Sequence, residues 1–144
     1  MAKNFFSKQE QEQVVSAIKN AELNTSGEIR VHIESACKGD VLDRAVEIFY
    51  QLEMNKTELD NGVLIFLSLN DKKMAIIGGK GIDEVVHEDF WDSTKNKMIE
   101  HFKKDEFTEG LVAGITEAGT QLKKHFPYQE DDVNELSDEI SFGE

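Results

Sequence analysis

The chain has one cysteine, Cys37, and no long apolar run. A lone cysteine excludes an internal disulfide and every multi-cysteine metal site, and it fits a reducing compartment. No window approaches the length needed to span a bilayer, and the start, "MAKNFFSKQEQEQ", has no apolar core behind its lysines. Cytoplasm is therefore the expected location. Bases are also scarce: Lys and Arg total 16 against 29 Asp and Glu, a formal net charge of -13. That excess repels nucleic acid and anionic membrane surfaces, leaving cations or basic proteins as fitting partners.

What is present fills one domain. Ser7 and Glu10 form a capping pattern ahead of Val14, Val15, Ile18 and Ala21, so a first helix is predicted over 8–22. "GEIRVHIE" (27–34) alternates, with Ile29, Val31 and Ile33 on one face and Glu28, Arg30, His32 and Glu34 on the other. It reads as a half-covered strand. A second amphipathic helix runs from Val41 to near Met54, and "GVLIFLSL" (62–69) has the continuous apolar pattern of a strand covered on both faces. "NDKK" then turns the chain into the return strand "MAIIG".

Two further helices carry Phe90–Phe102 and Leu111–Leu122, with Pro127 just past the last. Gly110, Gly114 and Ala118 fall four apart, a sign of close helix packing. The order α-β-α-β-β-α-α gives an α/β domain over 1–127, a small mixed sheet with a β-hairpin and helices on both faces. Residues 128–144 hold seven acids and no base and read as a solvated, partly disordered acidic tail. Such a tail suits a basic protein partner.

The hairpin makes a geometric prediction. Paired residue numbers in an antiparallel hairpin have a constant sum, so a two-residue turn at Asn70-Asp71 or Asp71-Lys72 places Asp60 opposite Gly81 or Asp83. If the first strand runs parallel to the second, Glu28 lies at the same sheet end. Asp60, Asn61, Asp83 and Glu28 thus form a candidate oxygen site for a hard divalent cation, Ca²⁺ or Mg²⁺, with glycines that permit close backbone approach. The competing readings are a plain Asp-Asn-Gly turn and a helix cap at Asp83. "GGKGID" (78–83) lacks the spacing of both the P-loop and the dinucleotide fingerprint. The four histidines, His32, His87, His101 and His125, show no clear zinc spacing.

At these residues the sequence resembles the TPM domain family, named in part for thylakoid-lumen phosphatases. The likeness rests on "LDNGVLIFLSLNDKKMAIIGGKGID" and "FTEGLVAGI" and covers most of the chain. It implies a three-layer α/β/α sandwich and a divalent cation near the Asn61-Gly62 and Gly79–Asp83 loops. Some members act as acid phosphatases; others assist membrane complexes. Two departures from the pattern are Lys80, where an aromatic is expected, and Asp83 in place of a longer acid. A non-catalytic cation-binding accessory module is the favoured expectation. The alternative is a metal-assisted phosphomonoesterase, in which Lys80 neutralises charge and Asp60 or Asp83 positions water.

Overall fold

The computed structural model of the chain describes residues 5–57, 59–86, 89–128 and 138–143. Helix α1 (Lys8–Glu22) begins at the capping box, with the Glu10 amide donating to Ser7 Oγ at 3.0 Å and the Ser7 amide to Glu10 Oε1 at 2.9 Å. Strand β1 (Glu28–Glu34) leads to α2 (Val41–Gln51), whose N-cap Asp40 accepts from the Leu42 amide at 2.7 Å. The second helix ends earlier than its apolar pattern suggests, and a 3₁₀ turn, Met54–Lys56, takes up the remainder.

Strands β2 (Gly62–Ser68) and β3 (Lys73–Gly78) form the hairpin. A one-turn helix α3 (Lys80–Asp83) follows, then α4 (Asp92–Lys103), α5 (Phe107–His125) and a two-residue strand β4 (Ser141–Phe142). The sheet order is β3-β2-β1-β4, with β1 parallel to both β2 and β4 and β3 antiparallel to β2. This is the expected mixed α/β sandwich, with α3 and β4 added to the predicted order. Neither addition carries a periodic signal, since one is a single turn and the other two residues.

The layers follow from alternation along the strands. Ile29, Val31 and Ile33 of β1 and Val63, Ile65 and Leu67 of β2 point to one face, where α1, α4 and α5 cover them. Leu64 and Phe66 point to the other, against Ala45, Ile48 and Phe49 of α2. The full burial of β2 explains its unbroken apolar run.

Close helix packing falls where small residues allow it. A Cβ on Gly110 would meet the Phe102 ring at 2.6 Å and one on Gly114 would meet Met98 Sδ at 2.2 Å, both across the α4–α5 contact. Gly119 sits against Ala21 in the same way, which brings α5 onto α1.

The half-covered reading of β1 needs correction. Glu28, His32 and Glu34 are 3–4% exposed, so the polar face is buried as well. Burial there is made tolerable by pairing: Glu34 takes two hydrogen bonds from Arg44, at 3.1 and 2.6 Å, and one from His32 Nε2 at 3.0 Å. Part of the acidic tail belongs to the fold, against the reading of 128–144 as a solvated tail. Residues 138–143 lie along β1, with Ser141 paired to His32 and Phe142 to Ile33; the rest of the tail, 129–137 and 144, lies outside the described residues.

Candidate functional site

Strand register builds the site. Val63 pairs with Gly78, and continuing that pairing beyond the strands puts Asp60 opposite Gly81. The two-residue turn is corrected to a four-residue loop, Leu69–Lys72, because the last pair is Ser68 with Lys73; the loop is still centred on Asn70-Asp71, which matches the first of the two predicted registers. Two backbone bonds seal the approach: the Gly79 amide donates to the Gly62 carbonyl at 3.0 Å and the Gly81 amide to the Asp60 carbonyl at 2.9 Å. The glycines serve contact and not φ, since neither has a positive φ. Asp60 takes the left-handed conformation instead, at φ 48°.

The polar groups here are short of partners. Asp60 Oδ1, Asn61 Nδ2 and Thr57 Oγ1 are buried, and among the described residues they meet no hydrogen-bond partner. Asn61 as a whole is 2% exposed. Buried polar atoms are normally satisfied, so three orphans within five residues mark an unusual place. Asp83, exposed at the end of α3, lies near enough to Asp60 to feel its charge. Burial and then the nearby Asp60 charge raise its pKa above the ordinary carboxylate value. Asp83 is the last residue of α3, and the α3 N-cap is Gly79, so the alternative reading of Asp83 as a cap is overturned. Lys80 is exposed at the first position of that turn.

Glu28 reaches the same sheet end, its amide donating to the Asn61 carbonyl at 3.3 Å. Its charge bears on Glu22 of α1, while Asp60 is the charged neighbour that raises Asp83. The structure thus brings Asp60, Asn61 and Asp83 together, and joins Glu28 to this sheet end through its backbone amide. Among the described residues no three His, Cys, Asp or Glu side chains converge as a metal-holding group. A cation at this loop would have to draw on amide, hydroxyl, carbonyl or water oxygens besides two carboxylates, a donor set that suits Ca²⁺ or Mg²⁺. Thr57 is the residue sequence reasoning passed over; its only signal was its place three residues before Asp60.

A second polar cluster lies under β4. Ser141 Oγ is 2.8 Å from His32 Nδ1, and His32 hands on to Glu34 and Arg44. Burial lowers the His32 pKa against the opposing pull of Glu34, so the ring is neutral at pH 7. Burial works to raise Glu34, but Arg44 and His32 outweigh it and hold the carboxyl below its ordinary value. His87 lies outside the described residues.

The family model described as TPM domain matches residues 2–121. BA42, a protein from the psychrophilic bacterium Bizionia argentinensis solved by NMR, is similar at 49% identity, with 96% of each chain covered and a TM-score of 0.91. The N-terminal domain of cg2496 from Corynebacterium glutamicum shares 15% identity over 80% of this chain and 72% of its own, with a TM-score of 0.65. The N-terminal domain of a P. gingivalis protein shares 19% over 84% of this chain and 78% of its own, with a TM-score of 0.68. Those two likenesses show the fold alone. No curated protein matches the chain. Among the described residues no helix is long and apolar enough to cross a membrane.

Proposed function

Because the chain belongs to the TPM domain family, we propose that it is a divalent-cation-binding module that holds Ca²⁺ or Mg²⁺ at the Asp60–Asn61 and Gly79–Asp83 loops and works as a non-catalytic accessory protein. The observation that carries this reading is Asp60 Oδ1, buried without a partner among the described residues, next to an Asp83 carboxyl destabilised by the Asp60 charge. A cation between two such carboxylates would supply the missing partner and remove their repulsion. Rotation of the Asn61 carboxamide would present its oxygen to the same space. Lys80, exposed, can direct its ammonium into solvent.

The test is a titration of the full chain with Ca²⁺ and with Mg²⁺, followed by amide NMR shifts. Shifts at Asp60–Gly62 and Gly79–Glu84 are expected, and their absence at millimolar metal would overturn the reading.

One observation favours a second reading. Asn61 Nδ2 is a buried donor without a partner among the described residues, and Lys80 stands on the facing loop, so a phosphoryl oxygen would find a donor and a positive charge there. Metal-dependent turnover of an aryl phosphate, lost in Asp83→Asn with the fold retained, would favour phosphomonoesterase activity. A basic protein partner for the acidic tail is a further proposal. Unchanged partner capture after removal of residues 129–144 would exclude the tail.

A further inference from the structure

Ser141, His32 and Glu34 form a chain of hydrogen bonds across the β1–β4 pairing. Ser141 Oγ lies 2.8 Å from His32 Nδ1, and His32 Nε2 lies 3.0 Å from Glu34 Oε2. Against the effect of burial, Arg44 donates to both Glu34 oxygens, at 3.1 and 2.6 Å, and keeps the carboxyl ionised. An ionised carboxylate only accepts, so Nε2 carries the ring proton and Nδ1 keeps its lone pair. The Ser141 hydroxyl therefore donates to a neutral imidazole whose other nitrogen is held by a carboxylate, the order in which an activated nucleophile is built. Backbone and ring packing fix this chain. His32 and Ser141 are register partners, the Gly143 amide donates to the Ile33 carbonyl at 2.8 Å, and the imidazole stacks on Phe66 with centroids 5.7 Å apart.

His32 is 4% exposed and Ser141 is half-buried, so a small electrophile can reach the hydroxyl but not the ring. Arg30 stands two residues before His32 on the same face of β1, about 7 Å along the strand. Its Nε is buried and has no partner among the described residues, a donor for charge that develops on a neighbouring oxygen. We propose that Ser141 is a covalent acylation site, with His32 as its general base and an activated acyl ester, of the thioester or aryl ester class, as the acyl donor. Ser141 Oγ bonds the acyl carbon while its proton passes to His32 Nδ1. The electron pair pushed onto the carbonyl oxygen then returns and expels the thiolate or phenolate. Glu34 steadies the imidazolium until its proton goes to solvent. Hydrolysis of the new ester would need a water at Nδ1, and Ser141 itself closes that side of the ring. The modification is therefore stoichiometric, and it does not rest on the cation reading.

The pH dependence separates an assisted serine from an ordinary one. The charged groups that bear on His32 are Glu34 of its own strand, Arg44 of α2 and Arg30, and Glu139 bears on Arg30 in turn. Burial lowers the His32 pKa against Glu34, so the ring is neutral from pH 7 upward and acylation there should proceed at a level rate. Attack by an unassisted hydroxyl follows its alkoxide and rises by about tenfold per pH unit.

The experiment treats the full chain with p-nitrophenyl acetate from pH 7 to 9 and follows acetyl groups by intact-protein and peptide mass spectrometry. A retained acetyl group on Ser141 is expected, formed at a pH-independent rate. The rate at Ser141 should fall by about 10²–10⁴-fold in His32→Gln and in the urea-unfolded chain, the usual worth of a positioned base. Labelling confined to lysines, Cys37 or other serines, a Ser141 rate that climbs with pH, or release of the acetyl group as fast as it forms would each overturn the proposal. So would an equal rate in urea or in a folded His32→Gln chain. The comparison with the unfolded chain needs no variant, so the test survives a His32→Gln chain that does not fold.

Discussion

Asp60 and Gly79 meet so closely that a Cβ on Gly79 would lie 2.5 Å from Asp60 Oδ1 and 2.3 Å from the Asp60 carbonyl oxygen. Gly81 is held as tightly, with a hypothetical Cβ 2.1 Å from the Leu59 carbonyl oxygen. The tightest contact at each glycine is with a backbone carbonyl oxygen, which cannot swing aside as a side-chain tip can. The glycines thus fix the separation between the two loops that carry Asp60 and Asp83.

Gly79→Ala should force the loops apart and cost about 1–3 kcal/mol, the usual range for an overpacked site. Urea denaturation would measure the loss, and calcium-induced shifts at Asp60–Gly62 should weaken in the same variant. Stability equal to that of the unaltered chain would show that the loops relax without cost.

Asp83→Asn separates repulsion from binding. Asp83 has its pKa raised by burial and by Asp60, so the metal-free fold loses stability as pH rises from the ordinary carboxylate value through the raised one. The variant should therefore be more stable than the unaltered chain at pH 7 without metal, and calcium should stabilise it less. A cation at a hundredfold excess over Kd adds about 2.7 kcal/mol to the unaltered chain. Thermal unfolding at pH 5 and 7, with and without calcium, reads both effects.

Much of this loop geometry was legible because a hairpin obeys arithmetic. An apolar strand, a polar turn and a second apolar strand narrow the facing residues to two registers, and the pairing of Ser68 with Lys73 selects the one with Asp60 opposite Gly81. The burial of Glu28, His32 and Glu34 was not legible. Alternating charge normally means solvent, and here it means a paired network whose partners Arg44 and Ser141 are 10 and 109 residues from Glu34 and His32, respectively.

The Glu34 network predicts a defined acid sensitivity. Arg44→Met removes the bidentate partner of a carboxylate that is 4% exposed and leaves His32 beside it. Breaking a fully buried pair costs about 3–5 kcal/mol, but the Arg44 side chain is 35% exposed, so about 1–3 kcal/mol is expected. Glu34 has a lowered pKa, so its contribution is present above the ordinary value and is lost as pH falls through the lowered one. In Arg44→Met that loss should begin at higher pH. Urea midpoints from pH 3 to 7 would show it, and parallel curves for the two chains would count against the network.

Thr57 distinguishes a ligand from a packing residue. Its carbonyl accepts the Asp60 amide at 3.2 Å, and its hydroxyl is buried with no partner among the described residues. An unsatisfied buried polar group costs about 1–3 kcal/mol, and valine keeps the shape without the hydroxyl. Thr57→Val should therefore raise metal-free stability by up to about that amount. Calcium affinity should move the opposite way, because a cation at this loop needs neutral oxygens to complement Asp60 and Asp83. Calorimetric titration beside urea unfolding measures the two together. Higher stability with unchanged affinity would assign the hydroxyl to packing alone, whereas lower stability would mean that it already has a partner in solution.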